Sequence, residues 1–176
     1  DNDTVSTWDD SSGNSNSVTA AVGKEPIYNT GILNGNPVVS FNGAGRKSLT
    51  NNLNMSTPST VIYVSRINGA TAGRILSGKN NNWLLGFWSG NRKVLYAEGW
   101  VAAPGGFTPD TNWYMYTATT SGSLTTGYEN GTQWISNSGG IAGINGFSLN
   151  GFGGSSEFSD AQIAEVIAFN SVLNST

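Results

Sequence analysis

Eleven acidic and eight basic side chains, with no histidine and no cysteine, make up the charged repertoire of this 176-residue chain. Such a repertoire could run carboxylate chemistry, with one Asp or Glu as acid and a second, ~5–5.5 Å away in a retaining glycosidase, as nucleophile. A β-strand can supply the pair, because its period of two puts residues i and i+4 on one face. No strand-like stretch here carries such a pair. Glu165 stands alone in QIAEVIAFN and Glu98 stands alone in LYAEGW. Asp9 and Asp10 are adjacent, so an extended backbone sends them to opposite faces. Without His or Cys there is no thiol nucleophile, Ser-His-Asp triad, disulfide or Cys/His zinc site. The chain is read as a non-enzyme.

Binding suits these residue types better. Six Trp, six Tyr and seven Phe stand among abundant Asn, Ser and Thr. Aromatic faces cover the C–H-rich side of a sugar at little entropic cost, while amides and hydroxyls answer its hydroxyls. The densest cluster runs from Arg74 to Trp100. Within WLLGFW, Trp83, Leu85 and Phe87 share one strand parity and Leu84 and Trp88 the other, so one tryptophan faces the core and one the surface. The candidate ligand-binding residues are Trp88, Arg92, Tyr96 and Trp100, with Asn81 from the amide-rich turn. The competing reading is that these aromatics are core. Trp8, Trp113 and Trp134 are read that way. A net charge of −3 argues against nucleic acid, and no apolar run approaches the ~20 residues of a membrane span.

The elements that must position these residues are short strands. Charged residues are only 11% of the chain and Gly numbers 24, a composition of strands joined by tight turns. The clearest stretch is Asn112 to Ser138. It reads as three consecutive antiparallel strands, with Trp113 to Ala118 alternating, a break at Ser121–Gly122, a run from Leu124 to Tyr128, and Asn130–Gly131 closing a hairpin onto Thr132 to Ile135. Asn-Gly is a strong hairpin signal because a type I′ turn needs φ > 0 at both central positions. Further strands are expected at Pro37–Phe41 (first or edge position), Thr60–Arg66 (central, buried on both faces), Arg74–Gly78, Trp83–Ser89, Lys93–Glu98, Phe147–Phe152 and Gln162–Asn170. Asn34–Gly35 is expected to turn, and residues 102–110 to form a Pro/Gly-rich loop. About a dozen strands over this length predict one domain, 1–176, built as two packed antiparallel sheets.

Several of these strings also resemble a family. WDDSSGNSN (8–16), NGNPVVSFNG (34–43), RILSGKNNNWLLGFWSG (74–90) and SSEFSDAQIAEVIAFNSVLN (155–174) are similar, in order, to segments of laminin G-like domains of bacterial and phage extracellular proteins. These belong to the concanavalin A-like lectin and glucanase superfamily. The resemblance spans nearly the whole chain and implies an all-β jelly-roll sandwich. The family's strand before the opening Trp and helix after the last strand are missing, so a domain trimmed at both ends, or completed by a partner, is expected. The superfamily's hydrolases carry Glu, Asp and Glu close together on one strand, and its lyases use His; neither pattern is present. Calcium, which such domains hold in loops through oxygen ligands, would fall to Asp9, Asp10 and Asp110, with Asn14 nearby. The competing reading there is solvated loop acids.

The function expected is a non-catalytic, lectin-like or adhesive domain, extracellular or on a cell or virion surface, that binds a polysaccharide or cell-surface glycan. The alternative is a structural module of a larger assembly with neighbouring protein subunits.

Overall fold

A computed structural model describes residues 2–173. Among these residues there is no helix. The chain forms β1 (Thr7–Trp8), β2 (Val18–Thr19), β3 (Ile27–Leu33), β4 (Asn36–Phe41), β5 (Leu49–Thr50), β6 (Ser59–Ile67), β7 (Leu76–Gly78), β8 (Trp83–Trp88), β9 (Asn91–Ala97), β10 (Trp100–Ala102), β11 (Tyr114–Thr120), β12 (Thr125–Glu129), β13 (Thr132–Asn137), β14 (Phe147–Leu149) and β15 (Ala161–Phe169). They make two antiparallel sheets, one ordered β1-β2-β5-β14-β7-β8-β9-β10 and the other β13-β12-β11-β6-β15-β4-β3. The result is an all-β, jelly-roll-like sandwich.

The predicted three-strand meander is β11-β12-β13, in register from Tyr116↔Glu129 to Thr120↔Thr125 and from Thr125↔Asn137 to Glu129↔Thr132. Asn130 and Gly131 both have positive φ (51° and 79°), as do Asn34 and Gly35 (51° and 81°), so both Asn-Gly pairs close hairpins. Replacing Asn130–Gly131 by Val-Val should lower stability by about 2 kcal/mol or more, since each β-branched residue is forced into the left-handed region at ~1–2 kcal/mol. An unchanged urea midpoint would contradict that reading of the turn.

Several expectations are corrected. Pro37–Phe41 is not the sheet edge, because β3, hidden in a polar IYNTGIL stretch, pairs outside it. The strand at Thr60–Arg66 is central but not buried on both faces: Val61, Tyr63 and Ser65 are buried, whereas Ile62, Val64 and Arg66 on the other face are half-buried. Trp113 is not core. It lies on that outer face beneath the Arg66 guanidinium, 4.9 Å from ring centre to Cζ. Trp8 and Trp134 pack, partly buried, against the margin of the core.

The core between the sheets is organised by aromatics of the meander and its neighbours. Tyr63 and Tyr116 stack at 5.8 Å between ring centres, Phe87 meets Tyr116 edge-on at 5.4 Å, and Tyr116 meets Trp134 edge-on at 5.7 Å. The Tyr63 hydroxyl donates to the Leu85 carbonyl at 2.6 Å, tying one sheet to the other. Such edge-to-face pairs add ~0.5–1.5 kcal/mol each beyond the area they bury.

One loop, residues 150–160, covers the middle of the eight-stranded sheet on its outer side. Ser77 and Ser148, both fully buried, donate to the Gly151 carbonyl at 2.8 Å each, and the Gly154 amide donates to the Ser148 hydroxyl at 3.0 Å. Gly151, Gly153 and Gly154 all have positive φ, which lets the backbone lie flat on those serines. Asp160 pins the loop's end by accepting the Gly43 and Thr71 amides, each at 2.9 Å.

Candidate functional site

The outer face of the eight-stranded sheet carries Trp88 from β8, Tyr96 from β9 and Trp100 from β10. Register places Tyr96 between Leu84 and Trp100 on neighbouring strands. The rings touch: Trp88 and Trp100 lie 5.5 Å apart between centres at 50°, and Tyr96 and Trp100 lie 4.9 Å apart at 79°. Leu84 and Val94, which share the strand parity of Tyr96, are buried yet lie outside the inter-sheet core. Trp100 itself is 41% exposed. Its position depends on the tight turn at Glu98 (φ 55°), where the Ala97 amide donates to the Gly99 carbonyl at 2.9 Å.

Arg92 and Asn81 do not join this cluster. In β9 Lys93 is an extra residue with φ 58°, since Gly86 pairs with Val94 and Phe87 with Arg92. That bulge turns Arg92 inward, toward the end of the sandwich. There its Nη1 donates to Glu129 at 2.9 and 2.7 Å, and its guanidinium lies over Tyr114 (4.9 Å) and Phe107 (5.6 Å). Asn81 is a clip between two loops: its amide nitrogen donates to the Gly143 carbonyl at 2.9 Å and its oxygen accepts the Asn145 amide at 3.0 Å.

Three residues not singled out as ligand-binding complete the site. The Trp88 Nε1–H donates to Glu157 Oε1 at 3.1 Å, and the other Glu157 oxygen forms an ion pair with Arg74 Nε at 2.5 Å. Arg74 is 5% exposed; its Nη1 donates to Asn82 Oδ1 at 2.8 Å and its guanidinium lies 4.4 Å over the Phe152 ring. Burial pulls the Arg74 pKa down, against the opposing charge of Glu157. Glu98 accepts the Asn82 amide at 2.7 Å. A buried cation thus ties the covering loop to the platform and fixes the angle of Trp88. The lone Arg at the head of an aromatic stretch was a visible signal, but nothing local links it to a glutamate in the 150–160 loop.

The acidic loop residues stand apart from the rings. The exposed Asp9 accepts the Ser17 hydroxyl at 3.4 Å, and Asp10 accepts the Ser12 and Asn16 amides at 2.8 and 2.9 Å, closing its own loop. Asp110 accepts the Asn112 amide and the Tyr114 hydroxyl, both at 2.8 Å. Among the described residues no three His, Cys, Asp or Glu side chains gather into a metal-sized cluster.

Carboxylate environments set the acid sensitivity of the fold. Burial pushes Glu129 up, but hydrogen bonds from Tyr116, Arg92 and Lys93 outweigh it and hold the pKa below the ordinary range. For Asp160 burial also pushes up, and the Gly43 and Thr71 amides outweigh it. A depressed folded pKa contributes stability above the unfolded value and loses it as pH falls through the folded one. Urea midpoints should therefore hold from pH 7 to about 5 and fall below about 4. Asp160→Asn should flatten that fall. A midpoint unchanged down to pH 3 would contradict both assignments.

Two concave regions lie elsewhere: about 470 Å³ beside the N-terminal segment (Val5, Trp8, Tyr28, Val38) and about 560 Å³ lined by Asn16, Thr19, Thr50, Asn52 and Lys79. Neither includes the three rings. Stacking on a sugar needs an open face rather than an enclosed volume, so the rings remain the candidate site.

No family model matches the chain, and no curated protein sequence matches it. Solved structures do. Trypanosoma rangeli sialidase in complex with sialic acid superposes with a TM-score of 0.63 at 15% identity, over 97% of this chain and 30% of the sialidase. Domain 4 of an extracellular arabinanase from Geobacillus stearothermophilus, in complex with arabinotriose, gives 0.52 at 16% identity over 89% of this chain and 77% of that one. The binding domain of botulinum neurotoxin serotype G gives 0.58 at 16%, over 94% and 45%. The chain thus spans under a third of the sialidase. At these identities the likeness is one of fold: a β-sandwich of concanavalin-like architecture.

Proposed function

We propose that this chain is a non-catalytic, laminin G-like carbohydrate-binding domain of an extracellular or virion surface, whose ligand stacks on Trp88, Tyr96 and Trp100. One observation carries the reading: three aromatic rings form a contiguous cluster on the sheet face turned away from the core, with Trp100 41% exposed. Core packing does not account for rings on that side. The arabinanase domain solved with arabinotriose, of which this chain covers 77%, shares this fold, which supports a glycan as ligand. The two carboxylates beside the rings are engaged in the structure itself, Glu157 with Arg74 and Trp88, and Glu98 with the Asn82 amide.

The test is a glycan array followed by retention on soluble polysaccharide. Trp100→Ala should weaken binding by about 1–3 kcal/mol, roughly 5- to 150-fold in Kd, with little change in the unfolding midpoint. Unchanged retention by Trp100→Ala would contradict the site. Running the assay with Ca²⁺ and with EDTA separates this face from the Asp9–Asp10 loop, because loss in EDTA would assign a calcium lectin.

A second reading, a structural module of an assembly, is favoured by the outer face of the seven-stranded sheet. There Met115, Ile167 and Phe169 are 38%, 37% and 40% exposed. No retention on any glycan, together with self-association or co-purifying subunits, would favour it.

A further inference from the structure

The three rings share no plane. Trp88 is inclined 50° to Trp100, and Tyr96 stands at 79° to it. A flat crystalline polysaccharide presents a row of coplanar sugar faces, and only coplanar aromatic rings can cover such a row. Inclined rings instead fit sugars turned relative to one another, as in a twisted soluble chain or a chain end.

Charge narrows the ligand further. The cation beside the rings, Arg74, is 5% exposed and already paired with Glu157. Of the three charged side chains tied to the platform, the two open to solvent are negative: Glu98 is exposed, and the Glu157 side chain is 37% exposed. A ligand carboxylate or sulfate would meet these two like charges, while Arg74 is already paired. Trp88 has its single N–H committed to Glu157, so it offers a ligand only its ring. Glu157 accepts one hydrogen bond and one ion pair, leaving lone pairs of its two oxygens free for a sugar hydroxyl.

We propose, resting on the carbohydrate-binding reading above, that the platform is selective for neutral, soluble, twisted glycan chains or chain ends. Glu157 serves there as the specificity-determining acceptor of a ring hydroxyl, and acidic sugars and crystalline polysaccharide are both excluded.

The experiment compares wild type, Trp100→Ala and Glu157→Gln on three probes: neutral soluble polysaccharides and their oligosaccharides, oligosaccharides bearing uronic or sialic acid, and insoluble crystalline cellulose and chitin. Wild type should be retained on one or more neutral soluble probes, at least tenfold more tightly than on acidic ones, and not on the crystals. Trp100→Ala should lose that retention tenfold or more. Glu157→Gln keeps an oxygen acceptor for the Trp88 N–H but removes the charge. It should weaken neutral binding several-fold and narrow the discrimination against acidic probes, a change in ratio that mere loss of structure would not produce. Trp100-dependent binding of acidic probes in preference to neutral ones, or of the crystalline surfaces, would overturn this selectivity while leaving the carbohydrate-binding reading intact. Absence of binding to every probe would overturn both.

Discussion

Glu129→Ala should lose about 3–5 kcal/mol of stability, the largest effect expected of any polar substitution in this chain. The Glu129 side chain is 11% exposed, and its oxygens meet Arg92 Nη1 at 2.9 and 2.7 Å, Lys93 Nζ at 3.1 Å and the Tyr116 hydroxyl at 2.7 Å. Removing it strands two cations, of which Arg92 is 20% exposed, and the hydroxyl of a fully buried tyrosine. An unpartnered buried hydroxyl alone costs ~1–3 kcal/mol. Glu129→Gln keeps an acceptor for Tyr116 and should cost about half as much. Urea denaturation of the two variants checks the order, and a loss below about 1 kcal/mol for alanine would mean that water reaches the ion pairs and substitutes for the carboxylate.

Gly86→Ala is the second. Gly86 has φ 92°, a conformation an alanine rarely adopts, and a Cβ built there would press on the Tyr63 hydroxyl and the Tyr116 ring. Left-handed strain costs ~1–3 kcal/mol and overpacking a further ~1–3 kcal/mol. The Tyr63 hydroxyl cannot yield freely, because it holds the Leu85 carbonyl. The expected loss is about 3–5 kcal/mol, with glycan retention reduced as well, because Trp88 leaves the sheet two residues further on. A thermal midpoint shift of only one or two degrees would show that the two tyrosines repack.

How far the sequence reached can be judged from particular residues. The meander was legible because alternation and Asn130–Gly131 are local signals, and Trp83 and Trp88 separated by strand parity alone. Trp88, Tyr96 and Trp100 came together because they lie on three consecutive antiparallel strands joined by short turns. Arg92 was misplaced by a single inserted residue, Lys93, whose positive φ reverses the face and which periodicity cannot see. β3 was missed because its IYNTGIL stretch is polar and glycine-broken, and an edge strand needs no continuous apolar run. Arg74 and Glu157 meet through a long-range fold contact, so although Arg74 heads the aromatic stretch, its pairing with Glu157 had no local signature.

The strand order also governs how this chain reaches its native state. β15, last in sequence, lies between β6 and β4, and β14 lies between β5 and β7. Neither sheet can be completed from its early strands: until β14 and β15 arrive, β4, β5, β6 and β7 keep unpaired edges and the β3–β4 hairpin has no neighbour to join. Closing those distant pairings spends loop entropy before contacts reward it, which places folding in the millisecond-to-second range typical of ~100-residue all-β domains or slower. During synthesis, the open edges of β4 and β6 stay exposed until β15 emerges, so a stalled or shortened chain presents two adhesive strands rather than a partly working domain.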